Sequence, residues 1–302
     1  MAFLLLFSVF FFTIGCSLIN SKKEDIKDEK INIVTSEFIE YDFAKQIVKD
    51  KANVSMLLPV GVEGHDYEAN ATDILNVSKA DIFFFSGLKA EPWVDKIINS
   101  FSGDRAEVID ISSNVNFLKT KINNSKESID PHIYLDLNNA KIMLENTLET
   151  ICKKDPINTE FYKENANRYK EKISRLDLEI KKLTDSSRLK KIAFAGRFAG
   201  IYFTKRYSLN YISAYPSCEF ESEPDANKIL EIISFIKSNK IPVIFYEDLK
   251  DQKLANAISK ETNARVLKFN TVHTVDKPQF DAGVTYVDLM QENLDNLRQA
   301  LI

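Results

Sequence analysis

The chain holds three histidines, and each stands where a predicted strand gives way to a loop. His65 lies in LeuProValGlyValGluGlyHisAspTyrGlu (58–68), after an apolar run and beside two glycines. His132 lies in AspProHisIleTyrLeuAsp (130–136), and His273 in LysPheAsnThrValHisThr (268–274), past the last predicted strand. Loops at strand ends are where α/β sheets gather their ligands. One such histidine alone reads more readily as a surface or satisfied core residue than as a ligand. Three in equivalent positions of separate units point to metal coordination. Imidazole suits zinc, nickel, copper and iron, and an added carboxylate shifts preference toward harder ions such as manganese. A metal-bound imidazole usually donates its second N–H to a carboxylate or carbonyl. Asp66, Glu68, Asp130 and Asp136 are close enough in sequence to accept it. Capping the next helix is the competing role, and for Asp136 the two weigh equally.

Of the three cysteines, Cys16 follows FLLLFSVFFFTIG (3–15), an uncharged run too short to span a bilayer and suited to a secretory signal. ThrIleGlyCys (13–16) resembles the cleavage box of a lipoprotein, with Cys16 as the lipidated residue. It departs from the usual box in having Thr13 for leucine and no basic residue ahead of the run. The charged stretch SKKEDIKDEK (21–30) reads as a tether. Cys152 and Cys218 form either a disulfide, as export permits, or two separate thiols.

The elements that would position these residues alternate. Candidate strands at 31–36, 54–60, 81–87 and 108–112 are separated by helical spacing, the pattern of parallel βα units. Residues 138–153 read as helix. From 157 to 187 one long amphipathic helix is predicted, with Phe161, Tyr169, Ile173, Leu176, Ile180 and Leu183 on its apolar face and Asp155-Pro156 at its start. A coiled coil is the alternative, but the heptads stop and βα alternation resumes. Strands follow at 191–196, 211–215, 242–247 and 265–269, with helices at 198–207, 225–238, 251–262 and 279–301. The expected fold is α/β: two lobes, each a mainly parallel sheet with flanking helices, joined by one long backbone helix, with the metal in the cleft between them. The expected division is 1–15 signal peptide, 16–30 lipidated tether, 31–155 N-terminal lobe, 156–188 linking helix and 189–302 C-terminal lobe.

Net charge is −4 and the isoelectric point near 5.6, so no footprint for nucleic acid exists. No His-Glu-x-x-His pair, Gly-x-Ser-x-Gly, phosphate loop or dinucleotide fingerprint occurs. A secreted zinc-dependent hydrolase is the rival reading, and a metal-binding surface adhesin a third.

ProValGlyValGluGlyHisAspTyrGlu, AlaAspIlePhePhePheSerGlyLeuLysAlaGluProTrp (80–93), AspProHisIleTyrLeuAsp and TyrPheThrLysArgTyrSerLeu (202–209) resemble the zinc/manganese substrate-binding lipoproteins of ABC importers, the cluster A-I, TroA-like or ZnuA-like family. The resemblance runs from about 31 to 301 and includes SerGluProAsp (222–225) and PheTyrGluAspLeu (245–249). It implies a binding protein rather than an enzyme, acting as a monomer with an ABC permease and its ATPase and held to the membrane by lipid on Cys16. It implies zinc as cargo, with manganese the alternative, and His65 and His132 as the N-lobe ligands. The C-lobe departs from the pattern. Arg197 stands where the family has its third ligand, and a guanidinium does not ligate. Asn270 stands near the usual aspartate. His273 is then expected to supply the missing nitrogen and Glu247 the fourth ligand, with Cys218 a weaker choice. Arg197 is left to hold a carboxylate such as Glu223 or Glu247. The His-rich loop of many zinc-specific members is absent from 112–129.

Overall fold

The structure is a computed structural model and describes residues 30–64, 67–87, 90–100, 105–122, 126–215, 225–247 and 252–301. Cys16, His65, Asp66, Cys218 and Glu223 lie outside these residues. So does the segment predicted as signal and tether, apart from Lys30.

The N-terminal lobe follows the predicted alternation: β1 (Asn32–Thr35), α1 (Phe38–Val48), β2 (Asn53–Met56), α2 (Ala71–Lys79), β3 (Ile82–Phe85), α3 (Pro92–Ser100) and β4 (Glu107–Asp110). Its strands pair in parallel in the order β2-β1-β3-β4. All four residues of β3, Ile-Phe-Phe-Phe, are buried, as a strand covered on both faces requires. Strand order reverses between β1 and β3, with β2 added on one side and β4 on the other, so the carboxyl ends of β1 and β3 flank the crevice where such folds bind ligands.

The polar stretch 112–129 holds an antiparallel hairpin, β5 (Lys119–Ile122) and β6 (Lys126–Ile129), which its composition does not announce. A single 3-10 turn at Ile133–Leu135 leads into α4 (Leu137–Lys154), and another at Pro156–Asn158 into α5 (Thr159–Ser186). At 28 residues, α5 is about 42 Å long. Tyr162, Tyr169, Ile173, Leu176 and Ile180 bury one stripe of it against α1, α4 and, at the other end of the chain, α10.

The second lobe comprises β7 (Lys191–Phe194), α6 (Ile201–Arg206), β8 (Asn210–Ser213), α7 (Ala226–Asn239), β9 (Val243–Glu247), α8 (Lys253–Thr262), β10 (Arg265–Phe269), α9 (Lys277–Asp281) and α10 (Tyr286–Ala300). Its parallel sheet runs β10-β9-β7-β8. The helix predicted over 279–301 is two helices. Gly283, at φ 72°, breaks the chain after α9, and Thr285 caps α10 in a reciprocal box with Asp288.

One apolar cluster runs through both lobes by way of α5 and α10, from Ile33 and Phe38 to Phe194, Phe245 and Phe269. Polar pins reinforce it. The buried Asp42 of α1 accepts hydrogen bonds from the Tyr169 hydroxyl of α5 and, at 3.1 Å, the Tyr286 N–H of α10. Arg206 of α6 forks onto Asp136 (2.9 Å) and Asp177 of α5 (2.8 Å).

Candidate metal centre

His132 owes its position to local chemistry. Asp130 accepts its backbone N–H at 3.0 Å and its Nδ1 at 3.1 Å, which fixes the imidazole tautomer. Nε2 is therefore the nitrogen a cation would take. Asp130 is held in turn from the other lobe: its carbonyl accepts the Tyr202 hydroxyl of α6 at 3.1 Å. The same hydroxyl accepts the Leu118 N–H at 2.8 Å. Of the carboxylates near histidines in sequence, Asp130 is thus an imidazole partner. Asp136 instead caps α4 through the Asn138 N–H and pairs with Arg206, while Glu68 is exposed.

His273 reaches the cleft through an unusual backbone. Val272 just before it has φ 73°, a left-handed conformation that costs a β-branched residue about 1–3 kcal/mol. Its Nδ1 lies 2.8 Å from the Thr271 hydroxyl, and its Nε2 2.7 Å from Oε1 of Glu63, on the N-lobe loop after β2. The rings of His132 and His273 stand 5.8 Å apart between centroids. They share a cavity of about 10 Å³, room for one ion or water, with Glu37, Gly64, Ser86, Ala90, Glu91, Pro131 and Tyr134. Ser86, Ala90 and Pro131 also border a more open cavity of about 380 Å³, lined further by Asp110, Phe117 and Asp130.

Three carboxyl groups from the ends of β1 and β3 lie beneath the histidines. Glu40 accepts the Glu37 N–H at 3.1 Å and the Ser86 hydroxyl, and Glu91 accepts the Ser86 N–H at 2.6 Å. Burial pushes Glu37 up to about 8, with the charge of Glu40 adding and His273 opposing. Burial likewise pushes Glu40 up to about 7, and Glu91 well above the carboxylate range. No Lys or Arg among the described residues forms an ion pair with any of the three. The pocket is rich in acid and short of positive charge, which a divalent cation would supply.

The other expected residues fall differently. Glu247 ends β9, buried, with its carboxyl 3.9 Å from where a Cβ on Gly196 would stand, and neither it nor Glu63 lines the cavity shared by His132 and His273. Arg197 is half-buried, and Glu223, one of its two expected partners, lies outside the described residues. Asn270 turns into α10: its amide donates to the Leu289 carbonyl and to Glu292, and its N–H to Asn293 at 2.7 Å. Cys152 is a free thiol. Among the described residues no three His, Cys, Asp or Glu side chains converge tightly enough to enclose an ion, and His65 is outside them. Glu37, Glu63 and Glu91 are the acidic residues that sequence reading passed over. Glu63 was the findable one, two residues ahead of His65 on the same loop.

Two parallel-sheet lobes bridged by a long helix, presenting imidazoles from both lobes to one acid-lined pocket, describe a bilobal metal-binding protein. The chain belongs to the ZnuA family, described as zinc-uptake complex component A, periplasmic, whose model matches residues 33–300. It is similar to the high-affinity zinc uptake system protein ZnuA of Bacillus subtilis strain 168, at 29% identity over 92% of this chain and 90% of the relative. It is 30% identical to the manganese ABC transporter substrate-binding lipoprotein scaA of Streptococcus gordonii, over 95% of each. Among solved structures, the Zn(II)-bound ZnuA-like domain of Streptococcus pneumoniae AdcA superposes with a TM-score of 0.77, at 27% identity over 90% of this chain and 99% of that one. The family consists of substrate-binding transport components and not of enzymes, which sets aside the hydrolase and adhesin readings.

Proposed function

We propose that this chain is the lipid-anchored, extracytoplasmic receptor of an ABC importer, binding zinc, or manganese as the alternative cargo, and delivering it to a permease and its ATPase. Cys16 carries the lipid. His65 and His132 bind from the N-lobe and His273 from the C-lobe, with one carboxylate completing a four-coordinate site. A closed set of protein ligands leaves no position for a reactive water, as cargo binding requires. Three imidazoles favour zinc over manganese.

The observation that carries this reading is the meeting of His132 and His273, from opposite lobes, at an acid-lined cavity with room for one ion. Permease docking that parts the lobes would part these ligands and release the metal. Metal content by mass spectrometry tests the proposal. Wild type should carry one zinc per chain, and His132→Ala and His273→Ala should each lose it or bind at least tenfold more weakly. Full stoichiometry and affinity in both variants would place the metal elsewhere. Among the described residues no helix is long and apolar enough to cross a membrane. A Cys16→Ala chain should leave the membrane fraction.

A further inference from the structure

We propose that Glu63, and not Glu247, supplies the carboxylate that completes the metal site; the inference rests on the metal-binding reading above. Glu63 Oε1 stands 2.7 Å from Nε2 of His273. In a tetrahedral site with bonds of about 2.1 Å, neighbouring donor atoms lie about 3.4 Å apart. Parting the two groups by well under 1 Å would therefore admit a metal between them. Both atoms already face each other across the cleft, one from each lobe.

The surrounding contacts hold this pair in place. Thr271 occupies Nδ1 of His273, which turns Nε2 toward Glu63. Asp130 likewise occupies Nδ1 of His132, whose ring is the next wall of the same cavity. Gly64 lets the loop lie flat against Glu37, where any Cβ would strike the Glu37 carboxyl. That close seat holds the loop at Gly64, next to Glu63. Glu247, at the end of β9, sits against Gly196.

Glu63→Gln separates a ligand from a residue that merely holds His273. Glutamine keeps the shape and a carbonyl oxygen facing His273, but its neutral amide is a poor metal ligand. Zinc affinity is read by competition with a chromophoric chelator, and coordination by the visible absorption of the cobalt-loaded protein. Glu63→Gln should weaken zinc at least tenfold and alter the cobalt spectrum, and Glu63→Asp should recover part of the affinity. Wild-type affinity and spectrum in Glu63→Gln would overturn the assignment and leave the metal-binding reading intact. So would a loss confined to Glu247→Gln. Wild-type protein that binds neither zinc nor manganese would overturn both readings.

Discussion

At the scale of single residues, the histidine site depends on partners that set which nitrogen faces the metal. Asp130 is 2% exposed and grips His132 at both its backbone and its ring. Removing such a partner typically costs 10–100-fold in metal affinity. Asp130→Ala should therefore weaken zinc by roughly that factor in a chelator competition, with the helical circular dichroism unchanged. An unaltered affinity would mean that His132 does not bind the metal. Asn270 shows the same logic turned inward. Its buried amide is spent on Leu289 and Glu292 of α10, so the position that resembles the family's last ligand serves packing here.

At the scale of elements, α1, α5 and α10 meet on the buried carboxyl of Asp42. Burial pushes it up to about 6, against hydrogen bonds from Tyr169, Tyr286 and Gln46 that pull the other way. The folded state thus holds this proton more tightly than the unfolded chain, whose aspartate titrates near 3.9. For this group, stability is greatest below pH 4, declines as pH rises from about 4 to 6, and is flat above. Asp42→Asn removes the ionisation while keeping an acceptor for Tyr169. Its melting temperature relative to wild type should rise from pH 4 to pH 7. A difference constant across that range would show that the carboxyl ionises no less easily folded than unfolded.

At the scale of the molecule, the long helix and the shared apolar cluster limit what metal binding can move. α5 is packed along its length by α1, α4 and α10, and the core is continuous from one sheet to the other. Packed helices slide by about 1–2 Å rather than swing. Small-angle scattering of metal-free and zinc-loaded protein should therefore give radii of gyration within about 1 Å of each other. A change of several ångströms would indicate wide hinge closure and a looser linker than this packing allows.

Much of this was legible in the residues themselves, because it rests on local physics. Alternating apolar runs and helical spacing predict both parallel sheets, and the period of Tyr169, Ile173, Leu176 and Ile180 predicts α5. Asp130 lies two residues from His132, so their pairing is a short-range contact that spacing alone suggests. The break at Gly283 also has a local cause, missed because the apolar period runs through it. The carboxylate was a different matter. Strand-end position points to Glu247, but it carries no information on contacts between lobes, such as that of Glu63 with His273. Glu63 meets His273 only when two lobes, far apart in sequence, are docked by the core they share. The pairing of β1 with β3 gathers Glu37, Glu40 and Glu91, and the docking of the lobes brings His273 to them, without a basic partner among the described residues. The sequence by itself determined the lobes, the linking helix and the histidines at strand ends. Tertiary packing alone decided which acid faces them, since contacts between lobes follow from how whole elements dock and leave no period in the chain.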